Sequence, residues 1–523
     1  MTTVAIRAQL RTRGGAIPLA SARARSSSVP APVGGWNTRD SLADMSQSDA
    51  TILDNWFPRL SDVKIRGGYT SHATGLVSPV EALMPWNGPS SSKYFAAAGA
   101  NIYNITNAGA VGAADVASLT SARWQSVNFG TSAGAFLYLV NGADAPRYYD
   151  GTSWTVPTIT GSGLTASNLV SIAMFKRRLL FCENNKLGFW YFPVETLAGA
   201  ISYFDLSPLC ARGGYLMAIG TWTRDGGAGL DDFAVFFTSN GEIIVYQGSN
   251  PADASAWSLV GVFNHAIPIG RRCLTKYGSD LLVLTQDGFT PLSVSLINDR
   301  LSQRQSLSTK IQGAAIAAVT DHRSKFGWQS IQYPRGNMLI VNVPTVENST
   351  AEQYVMNTTT SAWCRFTAQN ANVFGMLGDN LYFGGSGAVY KADSGLNDNG
   401  ANITGDAQTA YSYLRQRGTV KNFKMARPIL ATDGTLSVAM EAMVDYATHI
   451  PTITPSFTAP TSVAWDDGVW DVSAWSDVEQ IIKSWQTISG TGYAVALRMR
   501  TVSKNGTLRW LANDVLWEPG GPI

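Results

Sequence analysis

The stretch FGWQSIQYPRGNMLIVNV, residues 326–343, decides the fold class of this chain. Its first nine residues are a strand candidate that ends on Pro334, and Arg335-Gly336-Asn337 supplies a turn. Met338–Val343 is so apolar that we expect a strand buried on both faces. Further short apolar runs follow at 353–356, 363–366, 381–384 and 389–391. Short strands joined by turn residues, with no helical period, predict an all-β domain built from hairpins.

The same pattern recurs along the chain. Tyr94–Gly99 followed by Ile102-Tyr103 is similar to Tyr382–Gly387 followed by Val389-Tyr390. Further copies lie at 235–246 and 281–289. Several units are separated by about 40–50 residues, which is the spacing of propeller blades. We therefore predict a β-propeller-like body over residues 80–393, and a large two-sheet sandwich with accidental self-similarity is the alternative.

Length and composition limit the possible classes. A chain of 523 residues is too long for one ordinary core, so more than one domain is expected. The formal net charge of +2 argues neither for nor against a nucleic-acid partner. No apolar run approaches the ~18 residues of a membrane span, and no signal-peptide core follows the start, so neither is expected. The cysteines are far apart and are expected to be small, buried and reduced: Cys182, Cys210, Cys273 and Cys364.

Residues 1–33 contain no acidic side chain and are rich in Ala, Ser and Pro. Three interpretations fit this composition: a transit peptide, a disordered basic tail, or an extended arm that reaches onto a partner. We favour the arm because of the segment that follows it. The candidate docking residues are five arginines and one tryptophan: Arg7, Arg11, Arg13, Arg23, Arg25 and Trp36.

Residues 34–79 are predicted to form a platform that consists of a short helix and a β-hairpin. The helix is expected over Asp49–Asn55, with Ser46 or Ser48 as its N-cap. Val63–Ile65 then enters a sheet. Such a platform would hold the arm against the propeller-like body.

This segment resembles the opening of tail nozzle proteins of short-tailed bacteriophages, also called tail tubular protein B. The resemblance rests on patterns rather than on a chemically defined motif, and it spans most of the chain. The matching stretches are Gly34–Asn37 (GGWN), Asn55–Pro58 (NWFP), Val63–Tyr69 (VKIRGGY), Tyr333–Asn337 (YPRGN) and Ala362–Phe366 (AWCRF).

The resemblance implies a structural virion protein of the phage tail, made in the cytoplasm of the bacterial host. It implies a homo-hexameric ring below the portal–adaptor complex, in which one face of each subunit contacts a different face of the next. The implied partners are the tail adaptor (head–tail connector) protein, tail fibres or spikes, and the genomic double-stranded DNA that passes through the channel non-specifically. The N-terminal arm would dock on the adaptor.

Residues 394–523 are predicted to form a second, β-rich domain that begins with a Gly/Asn/Asp-rich linker. Tyr493–Val502 alternates as a half-buried strand does, and Asn505-Gly506 predicts a hairpin turn. A basic run is either the solvated face of an edge strand or a surface that faces DNA or a neighbouring subunit. Its cations, called here the basic run, are Arg415, Arg417, Lys421, Lys424 and Arg427.

The sequence contains no recognisable catalytic constellation, so we predict that the chain is not an enzyme and uses no cofactor or metal. The four histidines are scattered, and neither a P-loop nor a nucleophile elbow is present. A single G-G-x-G-x-D match at 226–231 lacks the stacked copies that calcium binding needs. The enzymatic alternative is a glycosidase propeller with a carboxylate pair among Asp466, Asp467 and Asp471, which otherwise are turn residues and hydrogen-bond partners. The main alternative is a receptor- or glycan-binding β-propeller of a tail fibre or adhesin.

Overall fold

The computed structural model describes residues 24–225, 230–297, 306–434, 436–451, 456–457, 479–504 and 506–520. Strands dominate these residues, and the α-helices among them are Leu292–Ile297 and Gln312–His322. The all-β prediction is confirmed. None of the helices in these ranges is long and apolar enough to cross a bilayer.

The strands of the deciding stretch lie where the sequence predicts them. Gln329–Tyr333 ends before Pro334, which has no amide hydrogen to donate to a neighbouring strand. Asn337 turns the chain at φ +51°. Met338–Val346 then returns antiparallel with its first seven side chains buried, as predicted. Two further strands complete this unit: Thr350–Asn357 and Trp363–Phe366.

Seven sheets follow one another along the chain and pack around one axis. The second, third and fourth are four-stranded and antiparallel, and the fifth has three strands. The strands of the second sheet are Gln125–Thr131, Gly134–Val140, Arg147–Tyr149 and Trp154–Thr155, and those of the third are Leu169–Phe175, Arg178–Glu183, Gly188–Tyr191 and Ser202–Asp205. The strands of the fourth sheet are Leu216–Asp225, Leu230–Thr238, Glu242–Gly248 and Trp257–Asn264. Those of the fifth are Leu274–Tyr277, Asp280–Thr285 and Gly288–Pro291. The unit around Met338–Val346 is the sixth sheet.

One long strand, Tyr69–Asn87, closes the ring. Its first part pairs with Ser386–Ala392 of the seventh sheet, and its second part, from Val80, pairs with Ser92–Ala98 of the first. The first and last sheets are therefore joined covalently, in the way that propellers protect their edges. The propeller-like prediction is confirmed. The remaining strands of these two sheets are Asn101–Asn104, Gly109–Ala110, Val373–Leu377 and Asn380–Gly384.

A short parallel pair joins Ile159–Thr160 to Gly199–Ala200. The remaining strands form a sandwich of two sheets that share one hydrophobic core. The strands of one sheet are Arg25–Pro30, Trp56–Pro58, Val63–Ile65, Lys421–Thr432, Gln480–Ile482, Gln486–Gly492 and Leu508–Pro519. Those of the other are Gly35–Trp36, Asp49–Asp54, Ile403–Thr409, Leu436–Val444, Ser456–Phe457 and Val495–Ser503. Asp54 of the second sheet pairs with Arg365 of the sixth propeller sheet, so one ten-stranded sheet runs through both parts of the molecule.

The helix predicted over Asp49–Asn55 is wrong. Asp49–Asp54 is a strand that pairs antiparallel with Ile403–Thr409 and parallel with Gly35–Trp36. Asn55 leaves this strand in the left-handed region at φ +61°. Strand pairing with Ile403–Thr409, and a hydrogen bond from Asn55 Nδ2 to the carbonyl oxygen of Thr404, override the weak helical preference of the local sequence.

The described part of the predicted arm belongs to the sandwich. Arg25–Pro30 pairs along its whole length with Leu508–Pro519, so this segment lies on the body instead of extending from it. The hairpin predicted at Asn505-Gly506 is also wrong, although Asn505 itself lies outside the described residues. The strands before and after it pair in different sheets, and the chain therefore crosses the sandwich at this point.

Candidate functional site

A cavity of about 260 Å³ lies on the axis of the propeller-like ring. The first strand of each of the seven sheets lies next to the axis, and residues of these strands line the cavity. One lining residue from each sheet, in order, is Leu83, Ser126, Ser171, Ile219, Leu274, Ser330 and Phe374.

The polar side chains of this axial cavity bond to neighbouring sheets. The Ser171 hydroxyl donates to Gln125 Oε1 at 3.1 Å, which links the second and third sheets. Gln329 Nε2 donates to the carbonyl oxygen of Phe374 at 3.0 Å, and its Oε1 accepts from the Phe374 amide at 2.9 Å. These groups are used to hold the ring together, and none of these contacts pairs a hydroxyl with a general base.

A second cavity, of about 200 Å³, adjoins the first near the residues that lead into the inner strands. Its described lining includes four cationic side chains and no carboxylate. Two of them, Arg271 and Arg272, also line the axial cavity and therefore stand at the boundary between the two spaces. The four side chains, called here the axial basic cluster, are Arg123, Arg271, Arg272 and Lys325.

Arg272 is at the centre of the axial basic cluster. Its Nη2 donates to the carbonyl oxygens of Glu81 at 2.8 Å and Trp124 at 3.1 Å. Its guanidinium carbon lies 4.9 Å from the ring centre of Phe326, and that of Arg123 lies 4.3 Å from the same ring. Burial lowers the pKa of Arg272 to about 10. Its Nη1 is out of contact with solvent and has no hydrogen-bond partner within the described parts of the chain.

Arg271 is held by backbone and amide oxygens. Its Nη1 donates to the carbonyl oxygens of Leu216 at 3.2 Å and Met217 at 3.1 Å, and its Nη2 donates to Asn184 Oδ1 at 3.1 Å. Burial lowers the pKa of this guanidinium as well. These contacts fix the side chain without neutralising its charge.

Arg123 is the member of the cluster that pairs with carboxylates, at 3.1 Å to Glu81 and 2.6 Å to Glu347. Lys325 Nζ instead donates to His322 Nδ1 at 3.0 Å and to the carbonyl oxygen of Thr345. Among the ion pairs of the described residues, none joins a carboxylate to Arg271, Arg272 or Lys325. The cluster can therefore hold a negatively charged group.

The thiols near this site are poor nucleophiles. Cys182 and Cys273 are fully buried, and burial raises the pKa of each to about 12, so both are protonated near neutral pH. Cys364 is buried as predicted, whereas Cys210 is half-buried, and all four cysteines are free. In the described part of the chain, no group of His, Cys, Asp or Glu side chains is arranged to hold a metal ion.

Two of the predicted docking residues, Arg25 and Trp36, are among the described residues, and they lie in different sheets. Arg25 lies in the first sheet of the sandwich with its guanidinium carbon 5.5 Å from the ring centre of Trp517. Trp36 lies in the other sheet and is buried, its Nε1 donating to the Thr51 carbonyl oxygen at 3.2 Å and its ring 5.2 Å from that of Tyr354. Trp36 is a core residue with little surface left for a partner. The remaining candidates lie outside the described residues: Arg7, Arg11, Arg13 and Arg23.

Lys421 of the basic run is fully buried and acts as a structural donor. Its Nζ donates to the carbonyl oxygens of Gln416 at 2.6 Å, Thr419 at 2.9 Å and Tyr493 at 2.8 Å. Burial lowers the pKa of this ammonium group. Three acceptors around one ammonium satisfy backbone groups that would otherwise lack a partner, and this leaves no surface for DNA.

Two other cations of the basic run pair with the adjacent strand. Lys424 lies 3.6 Å from Glu518, and Arg427 lies 2.6 Å from Asp514 and stacks on Trp485 with 4.8 Å between guanidinium carbon and ring centre. Both acids neutralise charges that the sequence presents as a basic stripe.

The strand that carries these residues, Lys421–Thr432, has partners on both sides, so its interpretation as an edge strand is wrong. Arg415 and Arg417 precede it and are exposed. Arg417 lies 3.7 Å from Asp44. Arg415 lines a groove of about 620 Å³ beside Arg25–Pro30.

None of the four axial basic cluster residues is among those predicted from the sequence. They come from three separate segments, each just before the first strand of a sheet. The one local signal is the adjacent pair Arg271-Arg272 ahead of Leu274–Tyr277. Adjacent arginines also occur on solvated surfaces, so the pair alone does not indicate a binding site. It does so only together with Arg123 and Lys325, which the fold of the ring places beside it.

Other residues considered in the sequence fall outside the described ranges. These include part of the G-G-x-G-x-D match, at 226–229. Asp232, just after that match, pairs with Lys176 at 2.6 Å. The candidate glycosidase carboxylates are likewise outside: Asp466, Asp467 and Asp471.

No family model matches the chain, and no curated protein matches it. Similar solved structures include Raptor of Chaetomium thermophilum, with 11% identity and a TM-score of 0.37 over 62% of this chain and 29% of that one. The extracellular domain of a putative hybrid two-component system of B. thetaiotaomicron has 10% identity and a TM-score of 0.39 over 62% and 40%. A putative 6-phosphogluconolactonase of Bacteroides uniformis has 12% identity and a TM-score of 0.34 over 63% and 92%. The matches span less than half of the first two chains.

Proposed function

We propose that this chain is a structural subunit of the tail nozzle of a short-tailed bacteriophage, acting through its shape and not as an enzyme. The proposal rests on the resemblance of GGWN at 34–37, NWFP at 55–58 and VKIRGGY at 63–69 to the opening of such proteins. In this proposal six copies form a ring below the portal and adaptor. The ring continues the channel for DNA and carries fibres or spikes.

The observation that carries the proposal is the junction between the propeller-like ring and the sandwich. Arg66 and Asp398 form an ion pair there, with side-chain exposures of 1% and 4%. Arg66 donates to both carboxylate oxygens, at 2.8 and 2.6 Å, and its Nε donates to Asn55 Oδ1 at 2.8 Å. Nη2 also donates to the carbonyl oxygen of Thr367 at 3.0 Å.

This junction favours a single rigid body. Removing one partner, as in Asp398→Ala, would leave the Arg66 charge buried and uncompensated, which typically costs about 3–5 kcal/mol. One backbone pair, Asp54 with Arg365, and a hydrogen bond from the Asn55 amide to the Arg365 carbonyl oxygen at 2.7 Å join the strands of the two parts. A subunit that sets the diameter of a channel needs this rigidity, whereas a hinged binding module does not.

The outer strand of the fourth sheet supports assembly into a larger complex. Trp257–Asn264 exposes Leu259 by 43%, Val260 by 50% and Val262 by 38%. Ile267, just after this strand, is 39% exposed. An apolar edge strand is an aggregation risk in an isolated subunit and is protected when another subunit covers it.

The test is the assembly state of the purified full chain, alone and with the adaptor protein, measured by native mass spectrometry. We expect a hexameric ring that copurifies with the adaptor. Val260→Lys should weaken the ring, because a charge would be buried in the contact, whereas Val77→Lys, on a 71% exposed side chain elsewhere, is the matched control. A monomer under all conditions would contradict the proposal.

The second candidate function is receptor or glycan binding. It is favoured by exposed aromatic side chains on the sandwich, at Tyr446 (39%), Trp485 (38%) and Tyr493 (45%), since rings of this kind stack on sugars. A monomer that binds immobilised glycans, and loses the binding on Tyr493→Ala, would establish this function in place of the nozzle.

A further inference from the structure

We propose that the axial basic cluster is a binding site for a small oxyanion, of the size of phosphate, sulfate or a carboxylate. The site is formed by Arg271, Arg272 and Lys325, with Arg123 at its edge. This inference goes beyond the nozzle proposal and does not depend on it.

Arg272 has a hydrogen-bond donor, Nη1, without an acceptor among the described residues. Nη2 of this side chain is satisfied by two carbonyl oxygens, but the buried Nη1 has no partner among the described residues. Leaving a buried charged donor without an acceptor is unfavourable, because the group has lost its hydration without gaining a partner. Both adjoining cavities are lined by this side chain, so an acceptor of suitable size has space beside it.

The charged side chains around the cavity carry a net positive charge. Four cations line the cavity of about 200 Å³. The carboxylates in contact with its lining are Glu81 and Glu347, both on Arg123, and Asp144, which accepts from the Ser121 amide at 3.2 Å and from Asn141 Nδ2 at 2.7 Å. Four positive charges against these three negative ones leave +1.

The volume of the cavity limits the size of the ligand. A water molecule occupies about 30 Å³ of liquid volume, so a cavity of about 200 Å³ holds one oxyanion with a few waters. A nucleic-acid strand does not fit in such a space. The shared chemistry is therefore a compact anion with two or more acceptor oxygens, which is the geometry that guanidinium groups recognise best.

The position of the site predicts what the anion does. Arg123 precedes the second sheet, Arg271 and Arg272 precede the fifth, and Lys325 precedes the sixth. An anion between them would cross-link sheets that are far apart in sequence. Binding should therefore stabilise the folded ring, because a ligand that binds only the folded state raises its stability.

The experiment titrates sodium phosphate, sodium sulfate and sodium acetate separately into the full chain by isothermal calorimetry, with sodium chloride at matched ionic strength as the blank. We expect saturable binding of at least one oxyanion, with a parallel rise in melting temperature. Arg272→Met should weaken it at least about tenfold. Arg500→Met, at an exposed arginine of the sandwich, should leave it unchanged.

A second pair of variants covers the case in which Arg272→Met fails to fold. Gly270 lines the same cavity at φ +67°, and a Cβ added there meets no atom within 4 Å. Asp and Asn both tolerate this conformation and have nearly the same shape. Gly270→Asp should reduce oxyanion binding by supplying a carboxylate of its own, whereas Gly270→Asn should retain it.

Three results would overturn the proposal. They are the absence of saturable binding of any of the three anions to the wild-type chain, equal binding by folded Arg272→Met and Arg500→Met, and equal binding by Gly270→Asp and Gly270→Asn. None of these measurements requires a hexamer or an adaptor, so they are independent of the nozzle proposal.

Discussion

The axial basic cluster and the basic run are both rich in Lys and Arg, yet they differ in what surrounds their charges. In the basic run, Lys421 is enclosed by carbonyl oxygens, and Arg427 meets a carboxylate on the adjacent strand. In the axial basic cluster, Arg271 and Arg272 bind only neutral oxygens among the described residues. The cations on the propeller axis are therefore free to bind an anionic ligand, whereas most cations of the basic run already have partners within the sandwich.

Strand geometry explains the difference. In the antiparallel pair of Lys421–Thr432 and Leu508–Pro519, Arg427 lies directly opposite Asp514, and Asn422 lies opposite Glu518. Cross-strand neighbours on one face of a sheet are close enough to pair. Arg271 and Arg272 precede the strand Leu274–Tyr277 and are outside its register, so strand pairing places no acid opposite them.

The largest expected effect is on the buried lysine of the basic run. Lys421→Met should lower the free energy of unfolding by about 3 kcal/mol, because three part-buried carbonyl oxygens lose their donor and an unsatisfied buried group costs about 1–3 kcal/mol. Urea denaturation followed by tryptophan fluorescence measures the change. Lys424→Met, on the same strand but exposed, should stay within about 0.5 kcal/mol of the wild type. Equal stabilities for the two variants would show that Lys421 is not a structural donor.

A smaller effect is expected at the half-exposed pair of the same strand. Asp514→Asn should cost about 0.5–1 kcal/mol, since Arg427 keeps its stacking on Trp485 and can reach water. The same denaturation assay applies, with Asp44→Asn as the control because the pair of Asp44 with Arg417 is long and exposed. A loss as large as that of Lys421→Met would mean that the pair is effectively buried.

The smallest effect concerns DNA. A double substitution of Lys424→Gln and Arg427→Gln should leave non-specific duplex affinity within about twofold of wild type, because these charges are already paired and release few counterions. Fluorescence anisotropy with a labelled duplex at several salt concentrations measures both affinity and salt slope. Arg415→Gln with Arg417→Gln, in the exposed turn, should have the larger effect of the two pairs. A collapse of binding on the first double substitution would place DNA on this strand.

Much of the propeller-like ring can be predicted from the sequence. Met338–Val346 is apolar throughout because both of its faces are buried, and the turns around it carry Pro and Asn at positions that require them. Asp49–Asp54 could not be predicted, because its partner strand, Ile403–Thr409, is encoded far away. Composition and local pattern determine hairpins, whereas long-range pairing decides segments without a local partner.

The candidate site was the least predictable part. The basic run is conspicuous as a segment, but its neutralising acids, Asp514 and Glu518, lie on a strand close to the end of the chain. Arg272 is inconspicuous as a residue and acquires its role only when the ring closes around it. The local sequence identifies the charged residues, whereas the fold determines which of them form an ion pair.

The most direct test of this difference is an anomalous-scattering experiment on crystals of the full chain soaked in sodium iodide. Iodide marks positions where positive charge lacks a bound partner. The account predicts an anomalous peak within contact distance of Arg272 and none beside Lys421 or Arg427. A peak along Lys421–Thr432 together with an empty axial basic cluster would contradict it.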